Sequence, residues 1–362
     1  MFARSPFTAV LAAALFAALP RAAAAQSEVP RLDHVFVIVF ENHAYPEIIG
    51  NTAGAPFLNK LAREANRARA YHAVGHPSLP NYLEMVGGSN FGVLGDLSPN
   101  WHGASADTLR VRPLFGNGTD APTPAALTGA TNGADIPAAR YTAMTIGDQL
   151  AAAGKSWKTY QDGLPLSGFE GVDYADGVFS NLSAVSQAGV IHRYAVKHDP
   201  FAYFASVQQG KAPGAITGFE GPDGLWADLR AGTAPALSFI VPDQCHDMHG
   251  LGDAGLFCAT DSLLIAMGDR AAERIVGAIE ASPAWKGGKS AIVIVWDEND
   301  YGAGPNRVPF ILATNYGVRG RTSDTPYNHY SFLRTLEMAF GLPCLNHACD
   351  AAVRPMTDLF TP

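Results

Sequence analysis

His34–His43 reads HVFVIVFENH. Val35 to Phe40 are apolar without a break. A strand covered on one face alternates apolar and polar residues, so this run predicts a strand buried on both faces of a sheet. Glu41, Asn42 and His43 follow at once. In open α/β sheets ligands bind beyond the carboxyl ends of the strands, which makes this end a candidate site. Further strand-like runs are SWKTYQDG (156–163), ALSFIVPD (236–243), SAIVIVWDE (290–298) and VPFILAT (308–314). Apolar residues at helical spacing mark APFLNKLAREANRA (55–68), TIGDQLAAAGK (145–155), GDRAAERIVGAIEA (268–281) and HYSFLRTLEMAFG (329–341). Alternating strands and helices, with continuous apolar strands, predict an α/β fold: a mainly parallel central sheet with helices on both faces.

The 362 residues are 48% apolar and 16% charged, enough for the core of one large domain. Net charge is −8 with no basic patch, which excludes a nucleic-acid partner. Residues 1–25 read as a signal peptide: Arg4, an apolar run, then small residues up to Ala25. The run is shorter than the ~20 residues a membrane span needs, so the expectation is export to the periplasm or medium without stable membrane insertion. Residues 26–362 then form a single domain. A stretch rich in Gly, Ala, Thr, Asn and Pro, around 94–139, is expected to be a flexible excursion from it. Four cysteines in an exported chain fit two disulfides. Proximity favours Cys245–Cys258 and Cys344–Cys349 among three possible connectivities. The oligomeric state is not written in the sequence.

AIVIVWDEND (291–300) repeats the opening device, ending an apolar run in Asp297 and Glu298. If the two strands are neighbours, three carboxylates and the Asn42 amide converge. Their repulsion calls for a hard cation with oxygen ligands; the plainer alternative is helix capping. In GHPSLPNYLEMVGG (75–88), Pro77 and Pro80 bracket Ser78, with Asn81 one residue further on. A serine hydroxyl becomes a useful nucleophile once a base or metal activates it; the alternative is a turn before a helix. VPDQCHDMHG (241–250) interleaves His246 and His249 with Asp243 and Asp247, a set suited to metal binding or proton donation. It also reads as a polar loop tied down by Cys245. Lys197 and His198 could meet an anion or form a surface cation pair. His329 opens a predicted helix, as a cap or pointing into the same cleft.

Taken together, Glu41-Asn42, Ser78-Leu79-Pro80-Asn81, the His246–His249 loop, Asp297-Glu298 and the closing NHYSFLRTLEMAFGLP resemble a known family. It is the bacterial phosphoesterases that include secreted acid phosphatases and phospholipases C, related to the alkaline-phosphatase superfamily. The likeness runs from about Asp33 to Leu345, leaving out the excursion. It implies that Glu41, Asn42, Asp297 and Glu298 are metal ligands, and that Ser78 is the nucleophile and a further ligand. Asn81 is implied as a contact near the phosphate. His246, His249 and His329 stand where the family has substrate or leaving-group contacts. HDMHG departs from the Asn-Asp-Met-His form of the acid-phosphatase branch. YQDGLP, YAVKHDP and the short length are similar to that branch. The expectation is an exported phosphomonoesterase working through a phosphoserine. It would use one divalent ion (Ca, Mg, Mn or Zn) and a small phosphorylated substrate, lipid phosphates included. His249 or His329 is expected to protonate the leaving group, Lys197, His198 and His246 to bind substrate, and the pH optimum to be acidic to near neutral. The alternatives are a phospholipase C-type phosphodiesterase and a non-catalytic, exported calcium-binding protein.

Overall fold

The computed structural model describes Met1 and residues 28–91, 93, 96, 143–164, 193–208, 215–250, 258–302 and 304–360. The expected signal peptide lies outside the described residues apart from Met1, and so does the excursion apart from Asp96. The strands are β1 (His34–Phe40), β2 (Asn66–Ala68), β3 (Tyr71–His72), β4 (Trp157–Gln161), β5 (Ile216–Thr217), β6 (Leu237–Val241), β7 (Ser290–Trp296), β8 (Phe310–Thr314), β9 (Thr322–Ser323) and β10 (Tyr327–Asn328). Eight of them form one sheet in the order β5-β4-β6-β1-β7-β8-β2-β9, and β3 pairs with β10 beside it. β5, β4, β6, β1 and β7 run parallel, while β8 is antiparallel to both β7 and β2. The fold is α/β with a mainly parallel sheet, as the apolar runs predict.

Every residue of β6 and β7 is buried, and so are six of the seven in β1. The helices fall into two groups, one for each face. Pro56–Glu64, Leu225–Ala231, Asp261–Ala281 and Pro283–Gly287 contact one another; so do Ser78–Gly87, Ile146–Ala152 and His329–Phe340. β1 lies between β6 and β7, with Phe40 opposite Trp296. Glu41 and Asp297 therefore leave the sheet side by side, and the loop after β6 emerges on the other flank of Glu41.

Two local features refine the sequence reading. The helix expected over 55–68 ends at Glu64, and Asn66–Ala68 becomes a strand. The side chain of Asn66 fastens it there, donating to the Val318 and Leu359 carbonyls and accepting from Arg321 N. The disulfides are Cys245–Cys258 and Cys344–Cys349, the pairing that proximity favours. No helix among the described residues is long and apolar enough to cross a membrane.

Candidate active site

Ser78 is the first residue of the Ser78–Gly87 helix, all of which is buried. The Asn81 side chain holds the preceding loop. Its Oδ1 accepts from Val74 N (3.1 Å) and Gly75 N (3.0 Å), and its Nδ2 donates to Gly75 O (2.9 Å), Pro77 O (3.2 Å) and Glu298 Oε2 (3.2 Å). Ser78 is thereby aimed at the strand ends. Its hydroxyl donates to Glu41 Oε2 at 2.8 Å and lies 3.4 Å from Glu298 Oε1. His76 Nδ1 is 2.8 Å from Glu298 Oε2, and the Tyr301 ring stacks on His76 at 4.1 Å between centroids. Asn42 N approaches Asp297 Oδ1 at 3.4 Å. His43 turns back instead, its Nδ1 3.0 Å from the Glu41 carbonyl.

The other flank of Glu41 carries nitrogen. His198 lies between two carboxylates, with Nε2 3.2 Å from Glu41 Oε1 and Nδ1 3.0 Å from Asp247 Oδ2. Lys197 Nζ donates to Asp96 Oδ2 at 3.1 Å and to His249 Nε2 at 2.9 Å, while His249 Nδ1 donates to Gly250 O at 2.7 Å. The backbone bends sharply at these loops: Asn42, Met248 and Tyr301 have φ of 53°, 82° and 60°. Such left-handed conformations in non-glycine residues cluster at functional sites, where the surroundings hold them.

Five buried atoms here lack a hydrogen-bond partner: Glu41 Oε1, Asn42 Oδ1, Asp247 Oδ2, Asp297 Oδ2 and His198 Nε2. Buried polar groups are normally satisfied, so each needs an explanation. Burial pushes the Glu41 carboxyl up to about 7 and also raises Asp247, Asp297 and Glu298; the Glu41 charge adds to the shift at Asp247 and Asp297. Desolvated carboxylates with orphaned oxygens are what an oxygen-bound cation would satisfy, so the donor set fits a metal ion.

Two expected histidine roles differ from the geometry. His329 is fully buried, with Nε2 donating to Asp297 O (2.7 Å) and Nδ1 accepting from Tyr71 Oη (2.9 Å). Burial takes its ring down to about 4, so it is neutral and presents no free nitrogen to a leaving group. Burial, reinforced by the Lys197 charge, takes His249 down to about 3. The sequence could not show these surroundings. His246 stands apart, its Nδ1 2.8 Å from Asp243 Oδ1 and 4.0 Å from Asp162 Oδ2. For Lys197, burial favours the neutral amine, but Asp96, Glu41 and Glu298 outweigh it and hold the ammonium. The sequence marks Asp247 with its loop but not His76, Asp96 or Tyr301. His76 stands inside a motif already marked, whereas Asp96 and Tyr301 carry no local pattern.

The model of the Phosphoesterase family matches residues 51–343. The chain belongs to the phosphoesterase family. As such it is a hydrolase acting on phosphoric ester bonds. A phosphatidylinositol-3-phosphatase from Mycobacterium tuberculosis is 29% identical over 97% of this phosphoesterase and 92% of its own length. A phosphate-repressible acid phosphatase from Penicillium chrysogenum is 27% identical over 80% of the chain. The chain spans 55% of that fungal relative. A phospholipase C A from Mycobacterium tuberculosis is 24% identical over 62% of the chain and 44% of its own length. Among solved structures, a sulfatase from Pseudoalteromonas sp. superposes with a TM-score of 0.50 at 11% identity, covering 86% of this chain and 68% of that one. That likeness is one of fold.

Proposed function

We propose that this phosphoesterase is an exported, metal-dependent phosphomonoesterase of acid-phosphatase type, working through a phosphoserine at Ser78. The observation that carries the reading is the buried Ser78 hydroxyl, 2.8 Å from Glu41 Oε2, at the start of a helix and beside orphaned carboxylate oxygens. Ser78 Oγ attacks phosphorus in line while its proton passes to Glu41 Oε2, which accepts the hydroxyl hydrogen bond at the outset. The bond to the leaving oxygen breaks, that oxygen takes a proton from water, and a second water hydrolyses the phosphoserine, releasing phosphate and restoring the Ser78 hydroxyl. The positive end of the Ser78–Gly87 helix faces the phosphoryl oxygens. Phosphoryl transfer depends mostly on positioning and charge stabilisation, and Asn81 supplies the first by fixing the loop. Glu41, Asn42, Ser78, Asp297 and Glu298 would hold one divalent ion (Ca, Mg, Mn or Zn), which supplies charge neutralisation and acidifies a neighbouring hydroxyl.

Monoesters are favoured because the relatives named phosphatases match 80% or more of the chain, against 62% for those named phospholipase C. The two disulfides suit an oxidising compartment outside the cytosol. Family membership sets aside the non-catalytic calcium-binding reading. The test compares p-nitrophenyl phosphate, phosphatidylinositol 3-phosphate and bis(p-nitrophenyl) phosphate, before and after chelation, with acid-quenched protein mapped for phosphoserine. Monoester turnover that chelation abolishes, with phosphate on Ser78, is the expected result. Faster diester turnover would move the assignment to a phospholipase C-type enzyme.

A further inference from the structure

Glu41, His198 and His249 each offer a ligand atom, and those atoms lie within 4.8 Å of one another. The set is a second donor group on the flank of Glu41 away from Asp297. Glu41 Oε1 and His198 Nε2 are buried and lie 3.2 Å apart, yet neither makes a hydrogen bond. His198 also has the setting of a metal-binding imidazole, with its far nitrogen against the carboxylate of Asp247. Carboxylate–histidine–metal triads orient their rings in this way. His249 Nδ1 is committed to the Gly250 carbonyl, so the atom left to offer is Nε2. That nitrogen is taken by Lys197, whose Nζ donates to it at 2.9 Å from a position only 3% exposed. A buried ammonium therefore holds the His249 end of the donor set.

We infer that Glu41, His198 and His249 form a latent second cation site, that the Lys197 ammonium fills it, and that this fixed charge keeps the centre to a single metal ion. The inference rests on the one-metal reading above. A nitrogen-rich set suits Zn²⁺. A lysine in its place brings one positive charge that chelators cannot remove, within electrostatic reach of Glu41 and Glu298.

The test is metal stoichiometry. The full chain is prepared in a His246→Ala background, so that the separate Asp162–Asp243–His246 group cannot take up metal. It is stripped with chelator and titrated with Zn²⁺, by calorimetry and elemental analysis. The parent should bind one equivalent and Lys197→Ser two; adding His249→Gln to Lys197→Ser should return the count to one. Lys197→Met, which fills the space without charge, should keep one equivalent and bind orthovanadate at least about tenfold more weakly. Two equivalents in the parent would overturn the inference, and so would one equivalent in Lys197→Ser that still melts cooperatively. If Lys197→Ser does not fold, unchanged orthovanadate affinity in Lys197→Met overturns it. No equivalent in the parent would instead refute the one-metal reading.

Discussion

Two groups of histidine and carboxylate lie along the carboxyl edge of the same sheet, and they differ in kind. In the first, Ser78, Glu41, Asp297, Glu298 and His198 are each 2% exposed or less, and several of their atoms lack partners. In the second, Asp162 and His246 are 29% and 34% exposed at the side chain. There Asp243 Oδ1 accepts from Cys245 N at 3.0 Å and His246 N at 3.1 Å, with Arg193 3.5 Å from its other oxygen. The second group neutralises itself and leaves the remainder to water. The first leaves buried donors and acceptors unmet. Residue type does not separate the two; desolvation and unmet hydrogen bonding do.

The sharpest way to break the comparison is Ser78→Ala. Turnover should fall by at least about 10³-fold, as for loss of a nucleophile, while the melting temperature stays within a few degrees. A variant with near-normal rate would remove Ser78 from the chemistry. Asp297→Asn comes next. Loss of a group that merely orients a ligand already weakens metal binding about 10–100-fold, so loss of a ligand charge should cost at least about 100-fold, read by metal titration. Unchanged metal affinity would show that the orphaned oxygens have another cause.

Glu337 separates burial from site-making. It is 1% exposed, and its Oε1 accepts from Leu345 N at 2.7 Å. Burial pushes its carboxyl up to about 8, against the pull of the Leu345 N–H and the Arg334 charge. The native state therefore keeps a proton that the unfolded chain releases at ordinary carboxylate pH. Its stabilising effect is present at low pH and is lost as pH rises towards about 8, with a slope of up to about 1.4 kcal/mol per pH unit. Urea unfolding at pH 5, 6, 7 and 8 should show a flatter dependence in Glu337→Gln than in the parent; parallel curves would contradict the shift. The smallest effect is expected at the second group. His246→Ala should leave turnover and bound metal within about twofold, as befits a part-exposed residue away from the site. A large loss of either would join the two groups into one centre.

Much of this was legible because strand chemistry is local. The unbroken runs Val35–Phe40 and Ala291–Trp296 announce doubly buried parallel strands, and the acids that close them announce an edge. The exchange of helix for strand at Asn66–Ala68 was not legible, because it depends on carbonyls at Val318 and Leu359 far along the chain. Nor were the histidines. His329 and His246 look equally available in sequence, yet one is locked between Tyr71 and Asp297 and the other is paired with Asp243. An imidazole has two nitrogens, and what it can do depends on what each of them meets.

By itself the sequence determined the α/β plan, the order of its parallel strands' apolar runs, and the residue types at their ends. These follow from periodicity and polarity, which each short segment carries within itself. Only the tertiary structure decided that Phe40 lies opposite Trp296, so that Glu41, Asp297 and Ser78 meet, and that Lys197 reaches His249. Those are encounters between segments more than thirty residues apart. They set charge and solvation together, and no local pattern encodes which buried atom will be left without a partner.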